Sequence, residues 1–178
     1  MAKTATRTAT TTKYFLNCKS VEELKKLYHD LARKFHPDIK GGCLETMKLI
    51  NAEFDKVFEI LKDIHAKKDG STYEAKGDWK TTETGKVYRG IIEALLHLEG
   101  IVIEIVGSWV WVSGEKTKEY KDTLKELKFF FSAPKKAWYY NAMPQKGRHI
   151  SHYKNLDEVK AHWHTVKVDG EAQKTIEA

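Results

Sequence analysis

The stretch Leu24-Lys25-Lys26-Leu27-Tyr28-His29-Asp30-Leu31-Ala32-Arg33-Lys34-Phe35-His36-Pro37-Asp38 decides how the first part of the chain is read. Val21, Leu24, Leu27, Tyr28, Leu31 and Phe35 recur at three- and four-residue steps, which places them on one face of a helix. Ser20 and Glu23 have capping-box spacing and set its start. Pro37 disfavours helical backbone at His36, so the helix should end near Phe35. Gly41-Gly42 then gives a turn. A second helix follows, with Met47, Ile50, Phe54, Val57, Phe58 and Leu61 on one stripe. Two antiparallel helices joined by a short loop can bury both stripes against each other. Tyr14, Phe15 and Leu16 supply an apolar lead-in that can cap this core.

Between the two helices lies His36-Pro37-Asp38. Proline rigidifies the loop, so His36 and Asp38 project from a fixed turn. The polar face of the preceding helix carries Lys25, Lys26, His29, Arg33 and Lys34. A basic helix face that ends in a rigid His/Asp turn suits an acidic partner that offers an arginine to Asp38. Taken alone, the proline is also explained as a helix stop and the lysines as a solvated face.

The stretch 24–38, with Gly41-Gly42, Met47 and Ile50-Asn51-Ala52-Glu53-Phe54 after it, closely resembles helix II, the loop and helix III of a J domain, the DnaJ-type co-chaperone module. The resemblance covers about residues 14–64. It implies a protein that docks on a DnaK-type chaperone, of the heat-shock seventy class, and stimulates its ATP hydrolysis. By position it makes His36, Pro37 and Asp38 the active loop and Lys25, Lys26, Arg33 and Lys34 the electrostatic contacts. A J protein makes no covalent chemistry itself; it shifts a conformational equilibrium in its partner. The chain departs from the fuller pattern in several places. Its first helix is abbreviated to about Lys13–Cys18, the usual fourth helix is not evident, and no Gly/Phe-rich stretch or Cys-x-x-Cys repeat follows. It looks like a minimal J protein of the bacterial or phage kind.

The second half changes period. Lys86–Leu98 reads as a helix, Ile101–Val106 and Trp109–Val112 as a hairpin around Gly107-Ser108, and Thr117–Leu127 as a short helix with Tyr120, Leu124 and Leu127 inward. Lys128–Ser132 and Ala137–Asn141 form another hairpin around Ala133-Pro134-Lys135. Asn155–His164 is a last helix with Leu156, Val159 and Trp163 inward. The fold class expected is therefore a mainly α N-terminal J-domain helical hairpin followed by a small α+β domain of helix, hairpin, helix, hairpin and helix. The corresponding organisation is a disordered tail (1–13), a J domain (14–65), a polar linker (66–85) and an α+β adaptor domain (86–178) that selects a client.

Pro134 to Lys154 contains Lys135, Lys136, Lys146, Arg148 and Lys154 and no acids, interleaved with Trp138, Tyr139, Tyr140 and Tyr153. Aromatics beside cations suit stacking on single-stranded bases with neutralisation of the backbone. An alternative function is therefore a nucleic-acid-binding accessory or inhibitor protein of the phage or plasmid kind that uses segment 134–154, with Lys135, Lys136, Trp138, Tyr140, Lys146 and Arg148 as contacts. The same pattern also fits Trp138 and Tyr140 as core and the lysines as a solvated edge. Trp109 and Trp111 read as core on one strand face, and Glu104 as a solvent-facing edge position. His149/His152 and His162/His164 have spacings open to a metal but lack a cysteine or carboxylate framework.

Composition bounds these readings. The chain has 178 residues with a net charge of +6, enough length to bury a core without a disulfide or metal. Its charge divides as +3 over residues 1–13, zero over 14–66 and +3 over 67–178. The longest apolar stretch, Ile101 to Val112, is twelve residues with Glu104 inside it, too short for a bilayer span. Two cysteines, Cys18 and Cys43, are no disulfide framework and suit a reducing, cytoplasmic setting. No phosphate loop, nucleophile elbow or paired-carboxylate motif occurs, so no catalytic residue, metal or cofactor and no enzymatic activity is expected.

Overall fold

The first helix begins where its capping spacing predicts. In the computed structural model, which describes residues 13–76, 80–81, 83–107, 109–141 and 153–168, the Ser20 hydroxyl accepts from the Glu23 N–H at 3.3 Å. The Glu23 carboxylate accepts from the Lys19 N–H at 2.8 Å. Helix α1 (Val21–Phe35) ends two residues before Pro37, with His36 already in extended backbone as a pre-proline residue requires. Helix α2 (Leu44–Leu61) buries Met47, Ile50, Phe54, Val57, Phe58 and Leu61. Tyr28 and Phe54 meet with ring centroids 4.3 Å apart, and the Tyr28 hydroxyl donates to Asn51 Oδ1 at 3.0 Å. Phe15 closes this core against Phe54, held there by Glu53, whose carboxylate accepts from the N–H groups of Tyr14 and Phe15.

A two-stranded hairpin follows, β1 (Ile64–Ala66) with β2 (Thr72–Glu74). Helix α3 (Gly85–Leu96) is capped by Thr84 and stacks Tyr88 on Phe54 and Phe58. Arg89 on the same helix makes a bidentate pair with Asp55 of α2, at 3.0 and 2.9 Å. The hairpin β3 (Val102–Val106) and β4 (Trp109–Ser113) places Val106 opposite Trp109. So tight a connection needs left-handed backbone, which Gly107 supplies at φ 57°. Ser108, its expected turn partner, lies outside the described residues. A 3-10 turn (Glu115–Lys118) and a short helix α4 (Lys121–Glu126) lead to β5 (Phe130–Ser132) and β6 (Ala137–Asn141). Helix α5 (Leu156–His162) and β7 (Thr165–Val168) complete the order.

Five strands form one antiparallel sheet in the order β5-β6-β4-β3-β7. Ile103, Ile105, Val110, Val112 and Trp138 join the core shared with α1, α2 and α3. Val106, Trp111 and Ala137 take the opposite face and pack on Leu156 and Val159 of α5. The sheet is thus covered on both faces, by three helices on one and by α5 on the other. Among the described residues no helix is long and apolar enough to cross a membrane.

This architecture corrects the expected fold class. Among the described residues, five α-helices and seven strands in two sheets make an α+β fold, in place of a mainly α J-domain hairpin followed by a small α+β domain. One apolar core runs from Phe15 to Val168, and α1 contacts β1, β3 and β7 as well as α2. The physical reason lies on the side of α1 that reads as polar. Glu22, Lys25 and His29 are all buried, and buried polar residues leave no trace in an apolar periodicity. The stretch 66–85 contains β2 and the buried Glu83. Strand β7, beyond the last expected helix, pairs with β3 and brings Val168 into the core.

Two smaller expectations also change. Trp163 is exposed, because it sits at the C-cap of α5 with extended backbone. Glu104 is not at an edge: β3 lies between β4 and β7, and the carboxylate is buried 2.6 Å from Lys160 Nζ of α5. Trp109 and Trp111 do share one face, stacked at 5.9 Å, with Val110 and Val112 on the other.

His29 gives this fold a pH dependence. Neither ring nitrogen has a hydrogen-bond partner among the described residues, and burial, aided by the Arg33 cation, pushes the imidazole down to about 3. An unfolded histidine titrates near 6.5. The unfolded chain therefore binds the extra proton first. The His29 contribution to stability should be full above pH 6.5 and fall by about 1.4 kcal/mol per pH unit between 6.5 and 3. His29→Leu should flatten that slope in urea melts at pH 7, 6, 5 and 4. It should also raise stability at pH 7 by about 1 kcal/mol, since an unpaired buried polar group is replaced by an apolar one. An unchanged slope would show that His29 is solvated.

Candidate functional site

The His36-Pro37-Asp38 turn is fixed to its helices by backbone hydrogen bonds. The His36 N–H donates to the Ala32 carbonyl at 2.8 Å, and the Ile39 N–H donates to the His36 carbonyl at 3.0 Å. The Gly42 N–H donates to Ile39 at 2.8 Å, and the Cys43 N–H donates back to Phe35 at 3.0 Å. Gly42 lies so close to the His36 carbonyl that a Cβ there would collide with it. The glycine is therefore required by close approach of backbone to backbone. Gly41 beside it has left-handed φ, 87°.

The side chains on this turn are less tightly held. Pro37 is exposed, and the Asp38 side chain is 65% exposed against 12% for His36. Asp38 Oδ2 is 3.6 Å from His36 Nδ1 and 3.8 Å from His97 Nε2. Both separations exceed hydrogen-bond length, so the carboxylate keeps room for an incoming cation. His97 caps the C-terminal end of α3 and sets its ring edge-on to His36, centroids 5.7 Å apart. Nothing in the sequence links His97 to the turn; the packing of α3 on α2 brings it there. His36, Asp38 and His97 also form the one group among the described residues with metal-ligand spacing, their donor atoms all within 4.8 Å of one another.

The basic face expected along α1 is divided by the fold. Lys25 is buried, its Nζ 3.0 Å from Glu83 Oε2 and 4.4 Å from the centre of the Tyr88 ring. It cannot reach a partner, which corrects its expected role as a contact. Lys26 and Arg33 are half-buried, and Lys34 is exposed with its ammonium 5.3 Å from the Phe35 ring. Arg33, Lys34 and Lys40 line a cavity of about 450 Å³ beside the turn.

The expected nucleic-acid contacts are similarly divided. Lys135 donates to the Tyr153 carbonyl at 2.9 Å, a structural bond on the α5 side of β6. Trp138 is buried against Phe131. Tyr140 is half-buried, and burial with the nearby Glu83 carboxylate pushes its phenol up. Lys136 is exposed and lines a separate cleft. Lys146 and Arg148 lie outside the described residues, as do His149 and His152. The other cations of that cleft, on residues 118–128, escaped the sequence reading. Their signal was a lysine at every third or fourth position opposite Tyr120, Leu124 and Leu127.

Comparison with family models, with curated proteins and with solved structures finds no match to this chain.

Two substitutions separate frame from surface. Lys25→Ala leaves Glu83 buried without its partner and should cost about 3 kcal/mol, roughly 6–12 °C in Tm for a chain of this size. Lys34→Ala should change stability by less than about 0.5 kcal/mol. Thermal melts of the two variants beside the parent chain check this; equal effects would place Lys25 in solvent.

Proposed function

We propose that the chain is a co-chaperone whose His36-Pro37-Asp38 turn docks on a DnaK-type chaperone and stimulates its ATP hydrolysis. The observation that carries the reading is the Asp38 carboxylate, exposed on a backbone-fixed turn and hydrogen-bonded to neither nearby imidazole. Such a group accepts a bidentate arginine at little cost in desolvation or loop ordering. His36 supports it from the helix end, and Pro37 offers an exposed apolar contact. Lys26 and Lys34 supply cations along the same helix, while Lys25 belongs to the interior. The turn does no covalent chemistry. Binding one conformation of the chaperone better than the other is sufficient to shift its equilibrium. The resemblance of residues 14–64 to J domains supports the same reading. The sheet and its flanking helices then serve as the part that selects a client.

Single-turnover ATP hydrolysis by a purified DnaK-type chaperone tests the proposal. The parent chain should raise the rate about tenfold or more, equivalent to about 1.4 kcal/mol off the barrier. His36→Gln and Asp38→Asn should stay within about twofold of no addition while keeping the parent's Tm. Gly42→Ala should also lose stimulation, with a lowered Tm, because its Cβ displaces the His36 carbonyl. Equal stimulation by parent and variants, or none by the parent, would overturn the assignment.

A further inference from the structure

A second surface lies at the far edge of the sheet. Strand β5 is an edge strand, and beside it the 3-10 turn and α4 enclose an open cleft of about 1390 Å³. Five lysines line it: Lys118, Lys121, Lys125, Lys128 and Lys136. All five are exposed, and none has an ion-pair partner among the described residues. Glu115 is the only acidic residue of the lining. Phe131 stands in this cleft beside Trp138, 53% exposed, an unusual position for a phenylalanine. Its strand neighbour Phe130, 63% exposed, turns its ring to Tyr139 on the other face of the sheet.

The backbone singles out two of these lysines. Lys128 (φ 63°) and Lys136 (φ 50°) are the non-glycine residues with left-handed backbone among those described. Glycine would adopt that conformation without strain. They bracket β5, one just before it and one in the turn after it. Strain held at two side chains that point charge into one cleft is a pattern of functional surfaces.

We propose that this cleft binds single-stranded nucleic acid, its lysines on successive phosphates and Phe131 stacked on a base where the nucleic-acid strand crosses the sheet edge. The chemistry of the lining favours this occupant over an acidic peptide. A base offers a planar face to the exposed Phe131 ring, which a carboxylate does not. The five lysines are point charges that can neutralise a phosphate backbone without reading its sequence. A duplex keeps its bases stacked on one another and leaves the ring uncovered. The site lies apart from the His36-Pro37-Asp38 turn and does not rest on the chaperone reading.

Fluorescence anisotropy of the full chain with labelled 15-nucleotide oligo-dT and oligo-rU tests the proposal. A mixed-sequence duplex and poly-glutamate serve as comparisons. The single strands should bind with a dissociation constant of about 10⁻⁶ to 10⁻⁴ M, and log K should fall with log salt at about 0.7 per phosphate engaged, near 3.5 if all five lysines take part. Lys128→Gly with Lys136→Gly should weaken binding about tenfold and lower that slope by about 1.4, without lowering Tm. Phe131→Ala should weaken binding about tenfold with the slope unchanged. Both variants should keep the parent's effect on chaperone ATPase. Preference for duplex or poly-glutamate, no binding at 50 mM salt, or binding that both variants retain would overturn the proposal. So would self-association through β5 that the oligonucleotides do not displace.

Discussion

Lys25 and Glu83 leave water together. Their charged atoms are 3.0 Å apart, with side chains 3% and 1% exposed. Burying either charge alone costs several kcal/mol, so neither segment can take its place without the other. The ammonium also rests over the faces of Tyr88 and Phe58, which meet the cation with the negative side of their π-systems. Near the start of the same helix Glu22 repeats the arrangement. Its carboxylate lies 2.7 Å from His65 Nδ1 and accepts from the Ala66 N–H at 3.0 Å. Helix α1 is thus held on its apolar side by α2 and on its polar side by segments more than forty residues away. The order of the fold follows from that double hold. Strand β1 must lie along α1, Glu83 must reach Lys25, and α3 then starts where Tyr88 can stack on Phe54.

Much of this was legible in the sequence wherever one local rule sufficed. The stripes of α1 and α2, the Ser20 cap, the stop before Pro37 and the Gly107 turn each depend on residues within a few positions of one another. Legibility failed where a residue's role is set by a distant partner. Lys25 and His29 have the spacing of a solvent-facing row, and Glu22 one turn earlier continues it. Only His65 and Glu83, brought in by tertiary packing, make that row an interior. Glu104 failed for the same reason: a lone carboxylate in an apolar strand reads as exposed until Lys160 of α5 is placed beside it. Strands β1, β2 and β7 are three or four residues long, too short for a period of two to stand out from chance.

The candidate surfaces divide in the same way. His36-Pro37-Asp38 was readable because its residues are contiguous and its proline carries a backbone meaning of its own. His97 was not, since it reaches the turn only through the packing of α3. The lysine-lined cleft lay half in view. Its Lys136 belongs to a basic-aromatic segment, but the rest of its charge comes from the outward side of α4 and the turns around it. Amphipathic reading there identified Leu124 as core and left the opposite side as ordinary solvated charge. Position in the sheet distinguishes it, because β5 at an edge leaves Phe131 exposed beside those lysines.

The two surfaces share a support. Glu83 holds Lys25 of α1, the helix that ends in the turn, and its charge also bears on Tyr140 of β6, which lines the cleft. Below both surfaces, charges are paired and rings are packed. At the surfaces themselves the hold is looser: the Asp38 carboxylate lies 3.6 and 3.8 Å from the two imidazoles, and the cleft lysines form no described ion pair although Glu115 lies among them. A rigid frame that carries unsatisfied charge has already met the ordering cost that a flexible loop would incur on binding. Its unpaired groups also contribute little to holding the fold together. Substituting them should therefore move binding far more than stability, whereas substituting the buried pair should move stability first and disturb both surfaces through it.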